Sequence, residues 1–247
     1  MNENRKPSIS VIIPVFNEEK TIQSTIESVC AYCDANGFPY EVVVVNDGSQ
    51  DGTAGVVESL LGRYPMLRML DNGINTGKGY AVRNGMLHAT GDLALFMDAD
   101  GSTKISELGK VLEKYTQGYG VIMGSRKIPG AYIAVHQPKF RELSGRMMNV
   151  FIRVATGLPF EDTQVGFKAF SRQARETIFP LQRTSRWIFD VELLVIAAQN
   201  RISVAEIPIT WENNSNSRVK VVHLGRTIAE LVIIRLNKMR GWYVKRS

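Results

Sequence analysis

Four short, mostly apolar runs constrain this chain more than any other feature. Ile9–Val15, Tyr40–Asn46, Leu67–Asp71 and Leu93–Met97 each end in a polar turn and are followed by a segment of helical spacing. Runs of this length read as strands covered on both faces, as in a parallel sheet. Among the intervening segments, 18–35 puts Ile22, Ile26, Val29, Cys30 and Cys33 on one helical face, and 54–64 and 78–89 are helical in turn. A helix at 106–115 and a strand at 120–124 continue the rhythm. Such alternation predicts an α/β fold with a doubly wound, mostly parallel sheet. Ligands of such sheets sit at the carboxyl ends of the strands.

Asp98-Ala99-Asp100 stands at that end of the fourth run. Side chains two residues apart on extended backbone point the same way. Two hard oxygen ligands suit Mg²⁺ or Mn²⁺, ions that share their coordination with substrate phosphates. A solvated Asp pair at a strand end is the plainer alternative. Pro14, Phe16 and Glu18 end the first strand, and Asp47 ends the second. Asp47 serves either as acceptor for a base N–H or as the start of an Asp-Gly turn. Asn75-Thr76-Gly77-Lys78-Gly79 opens a helix, so its amides and Lys78 are candidates for phosphate. The spacing over 73–79 is not that of a P-loop, and no Gly-x-Gly-x-x-Gly follows the first strand.

Past residue 128 the rhythm breaks. The residues 129–138 are loop-like, 140–156 has helical spacing, and 165–170 reads as a strand. A helix over 186–200 has Val191, Leu194, Val195 and Ala198 on one face. A last strand at 204–211, a polar loop at 212–218 and a final helix at 223–239 complete the chain. No repeat or low-complexity linker divides it, so residues 1–247 read as one domain. Its parts are the regularly alternating residues 1–127, the less regular 128–220 and an amphipathic helix with a basic tail (221–247).

With 44% apolar residues the chain can bury a sizeable core, and its net charge of +6 favours anionic partners. Nucleic acid is not expected: there is no aromatic–basic motif, and acidic strand ends oppose a phosphate backbone. Cys30 and Cys33 lie inside a helix, without a second cysteine pair, and His88, His136 and His223 are scattered. The thiols therefore read as packed rather than redox-active or zinc-binding. Residues 1–8 are polar, and no apolar run approaches the roughly 20 residues of a membrane span. A cytoplasmic, peripheral location is expected.

At this point the chain resembles a known family. Ser10-Val-Ile-Ile-Pro-Val-Phe-Asn-Glu-Glu19, Val45-Asn-Asp-Gly-Ser49, Asp51-Gly-Thr53, Asn75-Thr-Gly-Lys-Gly79 and Asp98-Ala-Asp100 together resemble family 2 glycosyltransferases. These have the GT-A fold, a Rossmann-like twisted sheet flanked by helices, and use nucleotide-diphosphate sugars. The resemblance implies that Pro14, Phe16, Glu18 and Asp47 hold the nucleoside. It implies that Asp98 lies near the ribose or donor phosphates, and that Asp100 binds the metal.

Gly124-Ser125-Arg126, Asp162 to Lys168, Phe189 to Leu193 and Ser217-Arg218-Val219-Lys220 resemble the polyprenyl-phosphate branch. Asp98-Ala-Asp-Gly-Ser102 and Trp187 to Leu194 look most like dolichyl-phosphate β-glucosyltransferases. The implied reaction is inverting transfer of a hexose, glucose from UDP-glucose, to a polyprenyl (dolichyl or undecaprenyl) phosphate. Where the mannosyl branch has Leu-Gln after the second Asp, this chain has Gly101-Ser102. Ser102, a water or a more distant side chain then completes the metal sphere.

A lipid monophosphate is already ionised, so its attack needs no general base. It needs cations, for which Arg126, Arg218 and Lys220 are the first candidates, with Arg141 and Arg146 behind them. Asp162, Gln164, Asp190 and Glu192 are candidates for sugar contacts or loop supports. Rival readings are a GDP-mannose or UDP-N-acetylhexosamine donor, a soluble sugar acceptor with Asp190 or Glu192 as base, and a non-catalytic nucleotide-sugar binder. An anionic membrane surface is an expected partner. The last helix offers Leu224, Ile228, Leu231, Val232 and Leu236 beside Arg226, Arg235, Lys238 and Arg240, then Trp242, Tyr243, Lys245 and Arg246. The 140–156 segment adds Met147, Met148, Phe151 and Ile152. A homo-oligomer or a membrane partner stays open.

Overall fold

The computed structural model describes residues 5–134, 139–212 and 224–245, without the side chains of 139–147, 224 and 226. Its first half follows the predicted alternation: β1 (Ile9–Val15), α1 (Ile22–Ala35), β2 (Tyr40–Asn46), α2 (Thr53–Leu61), β3 (Leu67–Asp71), α3 (Lys78–His88) and β4 (Leu93–Met97). A 3₁₀ turn, Ile105–Glu107, leads into α4 (Leu108–Thr116), followed by β5 (Val121–Ser125). The second half comprises β6 (Tyr132–Ile133), α5 (Lys139–Thr156), β7 (Phe167–Ser171), α6 (Arg172–Leu181), α7 (Phe189–Gln199), β8 (Val204–Pro208), β9 (Thr210–Trp211) and α8 (Leu224–Met239).

Seven strands form one sheet in the order β3-β2-β1-β4-β7-β5-β8. β7 runs antiparallel to both of its neighbours, and the other pairings are parallel. The carboxyl ends of β1, β2, β4 and β5 therefore share one edge with the amino end of β7. Alternate residues of each strand face opposite layers, as the pleat requires. Ile12, Val43, Val45 and Phe96 join one core with α3, α6 and α7, while Val11, Ile13, Val44 and Leu95 join another with α1, α2 and α4.

Three expectations are corrected. Helix α1 starts at Ile22 rather than at 18, because Asn17 takes a left-handed φ of 57° and Glu18 begins a turn instead. Helix α6 was not expected; Ser171, read only as the residue after a strand, caps it by accepting from the Ala174 amide at 3.2 Å. The single strand at 204–211 is two strands in two sheets. It divides after Pro208, which has no N–H for a ladder. Within the loop at 129–138, Tyr132–Ile133 pairs in parallel with Thr210–Trp211. Residues 165–166 precede β7, and 186–188 precede α7.

Candidate active site

The shared edge gathers most of the singled-out residues. β4 delivers Asp98 and Asp100, and the register that pairs Met97 with Phe167 continues into an Asp98 amide bond to the Gly166 carbonyl at 3.1 Å. Gly166 leaves room for the Asp98 carboxylate, which a Cβ at that position would displace. The Ala99 carbonyl accepts from Thr25 on α1 at 2.8 Å, which fixes the strand end. Asp100 Oδ1 accepts from the Ser102 amide at 2.9 Å, closing a tight turn. The Glu212 amide donates to the Ser102 carbonyl at 2.9 Å, so the turn is also tied to the segment after β9.

Lys78, the first residue of α3, reaches Asp98 Oδ1 at 2.5 Å. Burial works to lower its pKa, but Asp98 and Asp190 outweigh it and hold the ammonium above its ordinary value. The loop before it does not offer the open phosphate cradle expected from sequence. Asp47 Oδ1 accepts from the Thr76 amide (3.0 Å), the Thr76 hydroxyl and Asn72 Nδ2, and Asp47 Oδ2 accepts from the Gly77 amide at 2.8 Å. Asp47 is thus the anion that already occupies these amides at the helix start.

Pro14, Phe16 and Glu18 are half-buried beside the second strand's loop. The Asn17 amide donates to Ser49 Oγ, the Gln50 amide to Asn17 Oδ1, and the Glu18 amide to Thr53 Oγ1. These cross-links make the loops after β1 and β2 one rigid wall.

Across the edge, Arg126 follows β5. Its Nε and Nη2 meet both carboxylate oxygens of Asp162 at 2.9 and 2.8 Å, and its guanidinium lies 5.1 Å from the Trp211 ring centroid. Although burial opposes charge in each, the pairing holds Asp162 below the usual carboxylate range and Arg126 above its own value. Arg126 is therefore a fixed, permanently charged group. Gln164 is exposed in the adjoining loop. Arg218, Lys220 and the side chains of Arg141 and Arg146 lie outside the described residues.

Neither candidate base fits that role. Asp190 is buried against Lys168 Nζ at 2.5 Å, and Lys168 is fully buried in β7. Burial pushes Asp190 up and Lys168 down, against the attraction between them. Glu192 is fully buried and accepts from the Arg183 and Thr184 amides, Thr184 Oγ1 and the Tyr243 hydroxyl. Sequence reasoning overlooked Lys168, although a lysine inside the apolar run 165–170 is a signal of a buried partner. It also expected Tyr243 to face outward, whereas Tyr243 is fully buried.

Among the described residues no three His, Cys, Asp or Glu side chains cluster as a ready-made metal cage. That suits a cation taking one or two carboxylates here and its other ligands from a diphosphate and water, the usual Mg²⁺ arrangement. The hard oxygens of Asp100, with Asp98 beside it, fit such an ion.

Residues 10–179 match the family described as Glycosyl transferase family 2. The chain belongs to that family. A dolichyl-phosphate beta-glucosyltransferase of Trichomonas vaginalis is 37% identical, over 95% of this chain and 73% of that protein. The Saccharomyces cerevisiae protein of the same name is 32% identical over 95% of this chain and 76% of its own length. The Homo sapiens one is 30% identical over 97% and 78%. Among solved structures, glucosyl-3-phosphoglycerate synthase from Mycobacterium tuberculosis, in complex with Mn²⁺ and UDP-glucose, has a TM-score of 0.68. That alignment covers 98% of this chain and 81% of the other at 19% identity, and the likeness is one of fold. The mostly parallel sheet with its Asp98–Asp100 edge is accordingly the GT-A fold of a family 2 glycosyltransferase.

Proposed function

We propose that this glycosyltransferase transfers glucose from UDP-glucose to a polyprenyl phosphate, giving a β-linked sugar phospholipid. The observation that carries the reading is the likeness to dolichyl-phosphate beta-glucosyltransferases, at 30–38% identity over 93–97% of the chain. The donor diphosphate belongs beside Lys78 and the Asp98–Asp100 edge, and the nucleoside against the wall of Pro14, Phe16, Glu18 and Asp47. Mg²⁺ or Mn²⁺ bound through Asp100 would supply positive charge to the departing diphosphate. Lys78 exchanges its partner from Asp98 to the diphosphate when donor binds, so Asp98 is released to face the ribose or the ion.

The acceptor phosphate approaches from the Arg126 side. Asp162 and Trp211 hold Arg126 so that it presents charge without reorganising. Arg218, Lys220 and Arg141 are proposed as further phosphate cations, and Gln164 as a sugar contact. Burial of Asp190 and Glu192 favours this acceptor over a soluble sugar, which needs its hydroxyl deprotonated. The test uses radiolabelled UDP-glucose, GDP-mannose and UDP-N-acetylglucosamine with polyprenyl phosphate and Mg²⁺. Label from UDP-glucose should enter organic-extractable material. Label confined to water-soluble product, or none transferred, would overturn the reading.

The lipid acceptor requires contact with a bilayer, and no helix among the described residues is long and apolar enough to cross one. Helices α5 and α8 pack together. Val150, Phe151 and Val154 on one, and Val232, Ile233 and Leu236 on the other, are left exposed. Arg153, Arg235 and Lys238 belong to the same helices, which suits an anionic, cytoplasmic leaflet. Leu231 and Tyr243, expected outward, are buried; Ile233 and Met239 take their place. Sedimentation with anionic liposomes in low salt should carry the protein down, and high salt should release it. Equal recovery in the supernatant with and without liposomes would remove the membrane-facing role.

A further inference from the structure

The segment 182–186 is the element that touches both the donor end and the C-terminal tail. On one side it grips the first turn of α3. The Ser185 carbonyl accepts from the Tyr80 amide at 3.0 Å, and Gln182 Nε2 donates to the Gly79 carbonyl at 2.8 Å. The approach is close enough that a Cβ on Gly77 would meet the Ser185 carbonyl, and one on Gly79 would meet Phe189. This turn carries Lys78, which pairs with Asp98, and Gly77, whose amide binds Asp47.

On its other side the segment hangs from Glu192. One carboxylate oxygen accepts from the Arg183 amide (3.1 Å), the Thr184 amide (2.7 Å) and Thr184 Oγ1 (2.5 Å). The other accepts from the Tyr243 hydroxyl at 2.6 Å. Tyr243 follows α8 and is fully buried, and Asn237 Nδ2 donates to its hydroxyl at 3.2 Å. The next residue back reinforces the link: the Arg183 guanidinium lies 4.5 Å from the Trp242 ring centroid. A continuous path of hydrogen bonds thus runs from the tail to the donor edge. Its Tyr243–Glu192 step is fully buried, where a lost partner is not replaced by water.

We propose that Tyr243 is a positioning residue for the donor site: through Glu192 it holds segment 182–186 against α3 and so sets Lys78 opposite Asp98. The proposal rests on reading that edge as the nucleotide-sugar site. Its immediate effect, however, is on the ligand-free protein.

The test compares the wild type with Tyr243→Phe, which keeps the ring and removes the hydroxyl. Glu192→Gln replaces one of the two acceptor oxygens by an NH2, so that Tyr243 and the segment no longer both donate to it, and serves if the first variant does not fold. Thr156→Val is the control. It cuts a buried hydrogen bond elsewhere, from Thr156 Oγ1 to the Ile152 carbonyl at 2.6 Å, and lies off the path. Amide hydrogen exchange over 76–81 should speed up in both path variants and not in the control. The KM for UDP-glucose should rise about threefold to tenfold in the path variants, with the KM for polyprenyl phosphate unchanged. A merely structural role would lower thermal stability in all three variants and leave 76–81 and the donor KM alone; that result overturns the proposal. If exchange responds but the wild type does not use UDP-glucose, the positioning path stands and the assigned donor falls.

Discussion

Asp100→Asn will lower turnover by about a thousandfold or more while leaving the fold in place. The scale is that of several kcal/mol of charge stabilisation on a departing diphosphate. The substitution is close to isosteric, and the amide oxygen still accepts from the Ser102 amide that closes the turn. What it removes is the negative charge that holds a divalent cation. Asp98 does not make up the loss: even when donor binding frees it from Lys78, the ion has one carboxylate fewer than in the wild type. Initial rates at saturating Mg²⁺ or Mn²⁺, beside circular dichroism of the variant, check both halves of the expectation. Near-normal turnover would withdraw Asp100 as a metal ligand.

Lys168→Met will cost about 3–5 kcal/mol of stability, the range for breaking a buried ion pair from one side. Lys168 and Asp190 are both almost completely shielded, and Lys168 also donates to the Val165 carbonyl. Removing the ammonium takes away the ion-pair partner of Asp190 and leaves Lys78 as the remaining cation acting on this buried carboxylate. Burial already pushes Asp190 up, and loss of its main attraction pushes it further. Its folded pKa then lies above its unfolded one, so the penalty is full at neutral pH and shrinks as the medium is acidified. Urea unfolding of the single variant at neutral and acidic pH measures this. Adding Asp190→Leu should restore most of the loss, since an apolar pair of similar volume has no charge to desolvate. A single-variant cost below about 1 kcal/mol would mean that water reaches the pair.

The strands show how far local pattern carries. β1 to β4 match their expected bounds: β1, β2 and β4 are covered on both faces and their apolar runs report that burial directly, while the edge strand β3, only half-buried, is marked by the turns that flank it. α6 was missed because its start depends on Ser171, which looks the same whether it ends a strand or caps a helix. The site divides the same way. Asp98 and Asp100 are legible at the sheet edge because they directly follow a single apolar run, in the turn just past β4. The Arg126–Asp162 pair spans 36 residues and the Asp47–Gly77 bond spans 30, so local spacing does not reveal either.

From the sequence alone came the alternating α/β architecture, the placing of Asp98 and Asp100 at the carboxyl edge of the sheet and the likeness to family 2 glycosyltransferases. All three rest on neighbours along the chain, which local periodicity and motif order record. Only the tertiary structure decided how each charge is used. Asp47 closes the start of α3, Arg126 is fixed by Asp162, Asp190 balances Lys168, and Glu192 joins Tyr243 to the donor edge. The physical reason is burial: a charged group without water must find its partner wherever the fold brings one, and that partner is set by packing rather than by sequence distance.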